Sequence, residues 1–291
     1  MKIAVASGKG GTGKTMVATS LAATVTMDRP VRFLDCDVEA PNAHLFLYPT
    51  IERDEEAVIP VPEINPEICT LCGRCVEVCT FHALAKLGTK ILVFPQLCHG
   101  CGSCSLQCPV DAITEKPRAI GRLSFGMTQE GISFGQGELT ISEPMPTPVI
   151  RQLKAGLPAD ERLTILDSPP GASCSVVTTL HDVDFVLLVT EPTAFGLHDL
   201  RQMLGILQKT GSPAGVIINR SGAANPTLDN LLREQSIPIL MRIPYRSDIA
   251  AGLASGQLLI ERFPEYKPAF IQLLRSIESI LGQGGIEHGT K

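Results

Sequence analysis

Gly8, Lys9, Gly10, Gly11, Thr12, Gly13, Lys14 and Thr15 form a glycine-rich run that ends in a lysine and a hydroxyl. Glycines let successive backbone N–H groups point inward at phosphate oxygens, and a helix start behind them adds partial positive charge. In such a loop Lys14 meets the β- and γ-phosphates and the Thr15 hydroxyl ligates Mg²⁺. Asp35 and Asp37 follow the apolar run 31–34, and Asp167 follows the run 163–166. Carboxylates at the end of a strand suit Mg²⁺ and an attacking water. Between these groups lie two cysteine runs. Cys69, Cys72, Cys75 and Cys79 are spaced C-x2-C-x2-C-x3-C, and Cys98, Cys101, Cys104 and Cys108 repeat that spacing, followed by Pro109. Every cysteine recurs at one fixed offset, and His82-Ala83-Leu84 parallels Asp111-Ala112-Ile113. Thiolates so spaced can converge on the irons of a cluster. Zinc is the competing reading, since C-x2-C pairs also build zinc sites, but zinc has no need of this pattern given twice.

The elements that must hold these groups alternate along the chain. Residues 3–6 read as a strand, the glycine loop follows, and 16–27 has helical spacing. Residues 31–34 and 163–166 read as strands that deliver the aspartates. A strand at 185–190, a helix to about 209, a strand at 214–219, a helix at 226–234 and a strand at 237–241 continue the rhythm. This βαβα order predicts an α/β fold, a mainly parallel sheet flanked by helices. Pro60, Pro62 and Pro66 stand where the chain enters the cysteine segment, and Pro117 where it leaves. The expected organisation is a nucleotide-binding domain from 1–60 and 118–291, with 61–117 inserted. Residues 119–142 alternate polar and apolar with several glycines, which predicts short antiparallel strands and a partner-contact surface. Residues 268–281 read as a docked terminal helix rather than a membrane anchor.

The 291 residues are 44% apolar and 4% aromatic with no Trp, so the core must rest on Val, Ile, Leu and Ala. A net charge of −5 argues against nucleic acid as the main partner. No apolar run approaches the roughly 18 residues of a membrane span. Ten cysteines without a secretory signal, eight of them in the two runs, point to a reducing, cytoplasmic setting rather than disulfides.

The pattern Lys9-Gly10-Gly11-Thr12-Gly13-Lys14-Thr15 resembles the deviant Walker A loop of the MinD/ParA/Mrp superfamily of P-loop ATPases, which includes the nitrogenase iron protein. That resemblance implies slow, partner-stimulated, Mg²⁺-dependent ATP hydrolysis and an ATP-bound homodimer in which Lys9 reaches the partner's nucleotide. Asp35-Cys36-Asp37 resembles the family's switch I, which assigns Asp37 to the attacking water and Asp35 to its support. Asp167 then holds Mg²⁺ through water, and Ser168-Pro169-Pro170-Gly171 matches switch II, where the Gly171 N–H faces the γ-phosphate. Asn219 and Pro244 resemble adenine-side residues. Arg246 stands where the family often has Asp.

The cysteine repeat resembles a bacterial-type two-cluster ferredoxin, an α+β unit in which the fourth cysteine of each run serves the other cluster. The resemblance implies one [4Fe–4S] cluster on Cys69, Cys72, Cys75 and Cys108, and another on Cys98, Cys101, Cys104 and Cys79. Thr80 replaces the proline usual after a fourth cysteine. His99 reads as a surface turn residue rather than a ligand or proton relay. Cys36 reads as a buried filler. Cys174 is either a plain buried cysteine or, by its resemblance to a nitrogenase iron protein ligand, part of a cluster shared between subunits. Three functions follow from these resemblances: ATP-gated electron transfer to a redox partner such as a small nitrogenase-cofactor-binding-like protein, Mrp-type assembly or carriage of clusters, and MinD-like positioning. The last would call for a membrane helix or basic surface, and neither is evident.

Overall fold

The chain was analysed as a computed structural model that describes residues 1–156, 160–222 and 225–284. Strand β1 (Lys2–Ser7) is buried from Ile3 onward, as a strand covered on both faces must be. The glycine loop follows, with Gly11 at φ +77° and Gly13 at φ +90°, and turns directly into α1 (Lys14–Val25). Gly13 admits no side chain, because a Cβ there would lie 2.4 Å from the Asn219 amide nitrogen. β2 (Val31–Asp35) ends at the first aspartate and a short helix α2 (His44–Leu47) follows.

The chain then makes a long excursion. β3 (Thr50–Ile64) leads out to α3 (Arg74–Glu77), the hairpin β4 (Leu84–Leu87) and β5 (Lys90–Val93), and α4 (Ser103–Leu106). β6 (Ile113–Met127) returns, antiparallel to β3 from Ile64↔Ile113 to Thr50↔Met127. Pro60 sits opposite Pro117 in this pairing, so the prolines that mark the excursion lie within the two legs rather than at their ends. β7 (Ser133–Leu139) pairs antiparallel with β6 and parallel with β2. The expected short strands over 119–142 are therefore one long leg plus a strand of the main sheet. β3 is an edge strand whose first half, nearest the main sheet, carries Glu52, Arg53, Asp54, Glu55 and Glu56, all exposed, and such charges blunt edge-to-edge pairing.

The rest of the chain is α5 (Pro146–Ala155), β8 (Leu163–Pro170), α6 (Cys174–Leu180), β9 (Phe185–Thr190), α7 (Ala194–Thr210), β10 (Ala214–Ser221), α8 (Pro226–Glu234), β11 (Ile239–Pro244), α9 (Ser247–Ala254), α10 (Leu259–Arg262) and α11 (Lys267–Gly284). The sheet runs β11-β10-β9-β1-β8-β2-β7-β6-β3, parallel from β11 to β7. One apolar layer, with Leu21, Phe33, Phe134 and Phe270, packs α1 and α11 on one face. The other, with Ile150, Leu153, Val176 and Met203, packs α5, α6 and α7 on the opposite face. The terminal helix is docked as its periodicity predicts: Phe270, Leu273 and Ile277 are fully or almost fully buried. None of the described helices is long and apolar enough to cross a membrane.

Candidate functional site

The carboxyl ends of β1, β2, β8 and β10 converge around the glycine loop, where open parallel sheets bind ligands. A cavity of about 280 Å³ opens there, lined by the loop from Lys9 to Met16 together with Asp37, Asn219 and Pro244. Gly8 is not on its wall. A Cβ at Gly8 would lie 2.5 Å from Asp199 Cβ and from its carbonyl oxygen, so this glycine exists to let α7 pack on the loop.

At the floor, the Lys14 ammonium donates to Asp167 Oδ1 at 2.7 Å and the Thr15 hydroxyl to Asp167 Oδ2 at 2.6 Å. Asp167 is fully buried and Lys14 nearly so. Burial pulls the Lys14 pKa down, but the charge and hydrogen bond of Asp167, then Asp37 and Asp35, hold it above its ordinary value. Asp35 is equally buried and serves the backbone. Its Oδ2 accepts from the N–H of Asn42 and Ala43, both at 2.9 Å, and its Oδ1 from Asp37 N–H at 3.1 Å. Burial, then the Asp167 charge, pushes the Asp35 carboxyl up. Asp37 lies on the cavity wall, and burial raises it to about 6 despite the nearby Lys14 charge. Thr15 and Asp167 offer oxygens that could hold a hard cation, and Asp37 lies on the wall of the cavity beside them.

Two expectations meet a different geometry. Gly171, at φ +93°, donates its N–H to the Ser7 carbonyl at 3.0 Å, so here that donor is turned away from the cavity. Lys9 lies 3.4 Å from Glu191 Oε2 of the same chain. Glu191 is 5% exposed and also accepts from Arg220 at 2.6 Å, while a second Arg220 nitrogen donates to Gly11 O at 3.0 Å. Glu191 escaped sequence reasoning, although its place one residue past β9, at the binding end of the sheet, was a signal. Asn219 is buried and donates to Thr12 O at 2.7 Å, so it braces the loop from β10. Pro244 lines the cavity beside Tyr245, Ile249 and Leu253, an apolar wall suited to a base.

The excursion carries the thiols, and its internal repeat is visible in the backbone. Gly73 and Gly102 both start a four-residue helix in the left-handed region. Leu71 and Gly100 correspond at φ +57° and +64°, and His82 and Asp111 at +54° and +52°. Cys79 Sγ accepts Ala83 N–H at 3.2 Å, and Cys108 Sγ accepts Ala112 N–H at 3.3 Å, the same bond in each half. Cys69, Cys72, Cys75 and Cys108 line one small cavity. Cys79, Cys98, Cys101 and Cys104 line a second, walled also by His99, whose ring stacks on Phe81 at 3.6 Å. Each cavity thus draws three thiols from one run and the fourth from the other. All are free thiols. Burial pushes Cys75, Cys98 and Cys104 up, whereas a Ser103 hydrogen bond lowers Cys101. The described residues contain no tight His/Cys/Asp/Glu group of the kind that holds a single metal ion. Cys36 is fully buried, as expected of a filler. Cys174 is exposed, at the first residue of α6, which corrects the buried reading.

The family pattern of the CobQ/CobB/MinD/ParA nucleotide binding domain matches residues 3–260. The chain belongs to that family. It is a P-loop ATPase of the MinD/ParA type. Among curated relatives, an uncharacterized protein of Methanocaldococcus jannaschii is 30% identical over 97% of this chain and 98% of its own length. An iron-sulfur cluster carrier protein of Methanococcus maripaludis is 25% identical over 88% of this chain and 76% of its own. The septum site-determining protein MinD of Pyrococcus horikoshii, solved with Mg-ADP, superposes with a TM-score of 0.57 at 20% identity, covering 99% of each chain. That likeness establishes the MinD/ParA fold around the glycine loop, and the thiol-bearing excursion sits within the span of the family match.

Proposed function

We propose that this ATPase is a dimeric switch that holds two [4Fe–4S] clusters and passes electrons to a partner protein in one nucleotide state. The observation that carries the reading is the sorting of eight thiols into two four-thiol cavities, each drawing on both halves of the repeat. Cys69, Cys72, Cys75 and Cys108 would hold one cluster, and Cys98, Cys101, Cys104 and Cys79 the other. Such clusters supply one-electron oxidation and reduction, with potentials tuned by hydrogen bonds to sulfur such as those from Ala83 and Ala112. The inserted ferredoxin-like domain, residues 61–117, begins within the β3 and β6 legs.

On the ATPase side, Lys14 would exchange Asp167 for the β- and γ-phosphates, and Thr15 and Asp167 would hold Mg²⁺. Asp37 orients the attacking water. Lys9 leaves Glu191 to reach the nucleotide of a second copy, and Gly171 turns its N–H from Ser7 toward the γ-phosphate. A contiguous path supports coupling between the two sites. Val38, next to Asp37, accepts from Leu139 N–H at 2.7 Å; Leu139 on β7 pairs with Gly121 on β6, and β6 runs into the thiol domain. The test is a redox titration followed by electron paramagnetic resonance, with MgADP and with a non-hydrolysable MgATP analogue. For one electron, about 59 mV between the two states corresponds to tenfold coupling. A measurable shift supports the switch, and identical midpoints refute it.

Cluster carriage is the second reading, favoured by the likeness to the iron-sulfur cluster carrier and by the exposed thiol of Cys174 beside switch II. It predicts ATP-dependent transfer of iron and sulfide to an apo-acceptor, with loss of the donor's own spectrum. Unchanged donor iron after such incubation excludes it.

A further inference from the structure

The edge of the sheet opposite the nucleotide cavity holds a second, larger cavity of about 580 Å³. It lies where β1, β2 and β8 begin and where α5 and α6 end. Its polar wall is basic: Lys2, Arg32, Arg151 and Lys154 all face it. Arg32 is 7% exposed, and only one edge of its guanidinium is used, in a 2.8 Å contact from Nη2 to Asp160. Its Nε is buried and, among the described residues, has no hydrogen-bond partner. That atom is closed off even from water, so Arg32 offers the cavity its charge rather than this donor. Lys154 spends its protons on the carbonyls of Thr178, Thr179 and His181 at the end of α6, and so adds charge without a spare donor. Among the described residues Lys2 and Arg151 form no side-chain salt bridge, and the one acid on the wall is Asp182, which lies 2.8 Å from the His181 ring. Leu34, Leu166 and Val177 complete the wall with apolar surface.

We infer that this cavity binds a small organic anion, with a phosphate or carboxylate head at Arg32 and Arg151 and a short apolar body against Leu34, Leu166 and Val177. A guanidinium with donors to spare, such as Arg151, which has no side-chain partner among the described residues, is matched in shape and charge by a two-oxygen acid group, with the Arg32 charge behind it. The apolar wall would be wasted on an inorganic ion. Helix α6 carries the cavity rim at its far end and Cys174, beside switch II, at its start, so the ligand would sit one short helix away from the nucleotide.

The experiment is calorimetric titration of butyl phosphate, butanoate and inorganic phosphate into the full chain saturated with MgADP, which keeps the glycine loop filled. The expected result is binding of a butyl compound, tighter than inorganic phosphate by about fourfold for each methylene buried. A preference for butyl phosphate assigns a phosphate monoester head, and a preference for butanoate assigns a carboxylate. Arg151→Ala, an exposed change that leaves the fold intact, should weaken binding at least fivefold. Arg32→Gln, which removes the charge, should weaken it too. No binding to the MgADP-saturated chain, or binding that both variants leave unchanged, overturns the assignment.

Discussion

Asp167→Asn separates the two tasks of the buried carboxylate with the least change in shape. In the ligand-free protein Asp167 is the partner of a nearly buried Lys14 at 2.7 Å and the acceptor for Thr15 at 2.6 Å. Removing one member of such a pair strands the other, at a cost of about 3–5 kcal/mol. Two effects reduce that cost here. The Asp167 charge helps push the buried Asp35 carboxyl up, so removing it relieves a like-charge repulsion. Asp35 and Asp37 also remain to attract Lys14. The net loss expected is about 2–3 kcal/mol, or roughly 4–12 °C in Tm for a chain of this size. Anaerobic thermal unfolding at one fixed scan rate reads it. The same carboxylate should make ADP binding depend on Mg²⁺. For the parent, ligand at about 100 times its Kd adds about 2.7 kcal/mol, and Mg²⁺ should deepen that protection. In the variant, protection by ADP should be the same with Mg²⁺ or with a chelator. A ligand-free Tm within 1 °C of the parent, or an undiminished Mg²⁺ effect, would refute the reasoning from the buried pair.

Three further outcomes follow from the geometry. Lys9→Ala should leave ADP affinity unchanged and slow ATP hydrolysis, whereas Glu191→Gln, which frees Lys9 from a partly exposed pair worth up to about 1 kcal/mol, should raise the rate by at most about fivefold; normal hydrolysis in Lys9→Ala removes the lysine from the mechanism. Asp37 is raised to about 6 in the folded chain, so its contribution to stability is complete below its unfolded pKa near 4 and is lost as pH rises through 6. Asp37→Asn should therefore raise the ligand-free Tm at pH 7.5, with a gain that shrinks toward pH 5, and a gain independent of pH contradicts the assignment. Pairwise cysteine removal tests the interleaved thiol sets: Cys75→Ala with Cys108→Ala should cost about half the bound iron, and Cys75→Ala with Cys79→Ala nearly all of it, while equal losses would reject the pairing.

The parallel strands were legible because they are buried on both faces and read as unbroken apolar runs between turn signals. The two cysteine runs were legible because their spacing is a local property, whereas the exchange of the fourth cysteine between them came from the ferredoxin resemblance. β3 was not. Glu52 to Glu56 look like a loop, and only the edge position and the partner β6 make a strand of them. β7 was read as part of a meander because its parallel pairing with β2 is a long-range choice that local alternation does not encode. Asp35 illustrates the same limit within the site: residue type and place suggested chemistry, while three backbone N–H contacts show it holding the loop that follows β2. The basic cavity was invisible, since Lys2, Arg32, Arg151 and Lys154 come from three separated elements that only the fold brings together.

On the proposed reading, nucleotide state governs the redox behaviour of clusters held by the eight thiols. Stopped-flow re-oxidation of the pre-reduced protein by a soluble acceptor, with and without MgATP, tests it most directly, with Lys14→Ala as the control that cannot bind nucleotide. A rate that changes with MgATP in the parent and not in Lys14→Ala is the predicted result. Equal rates with and without MgATP in the parent would contradict the account and leave the thiol domain a passenger on the ATPase.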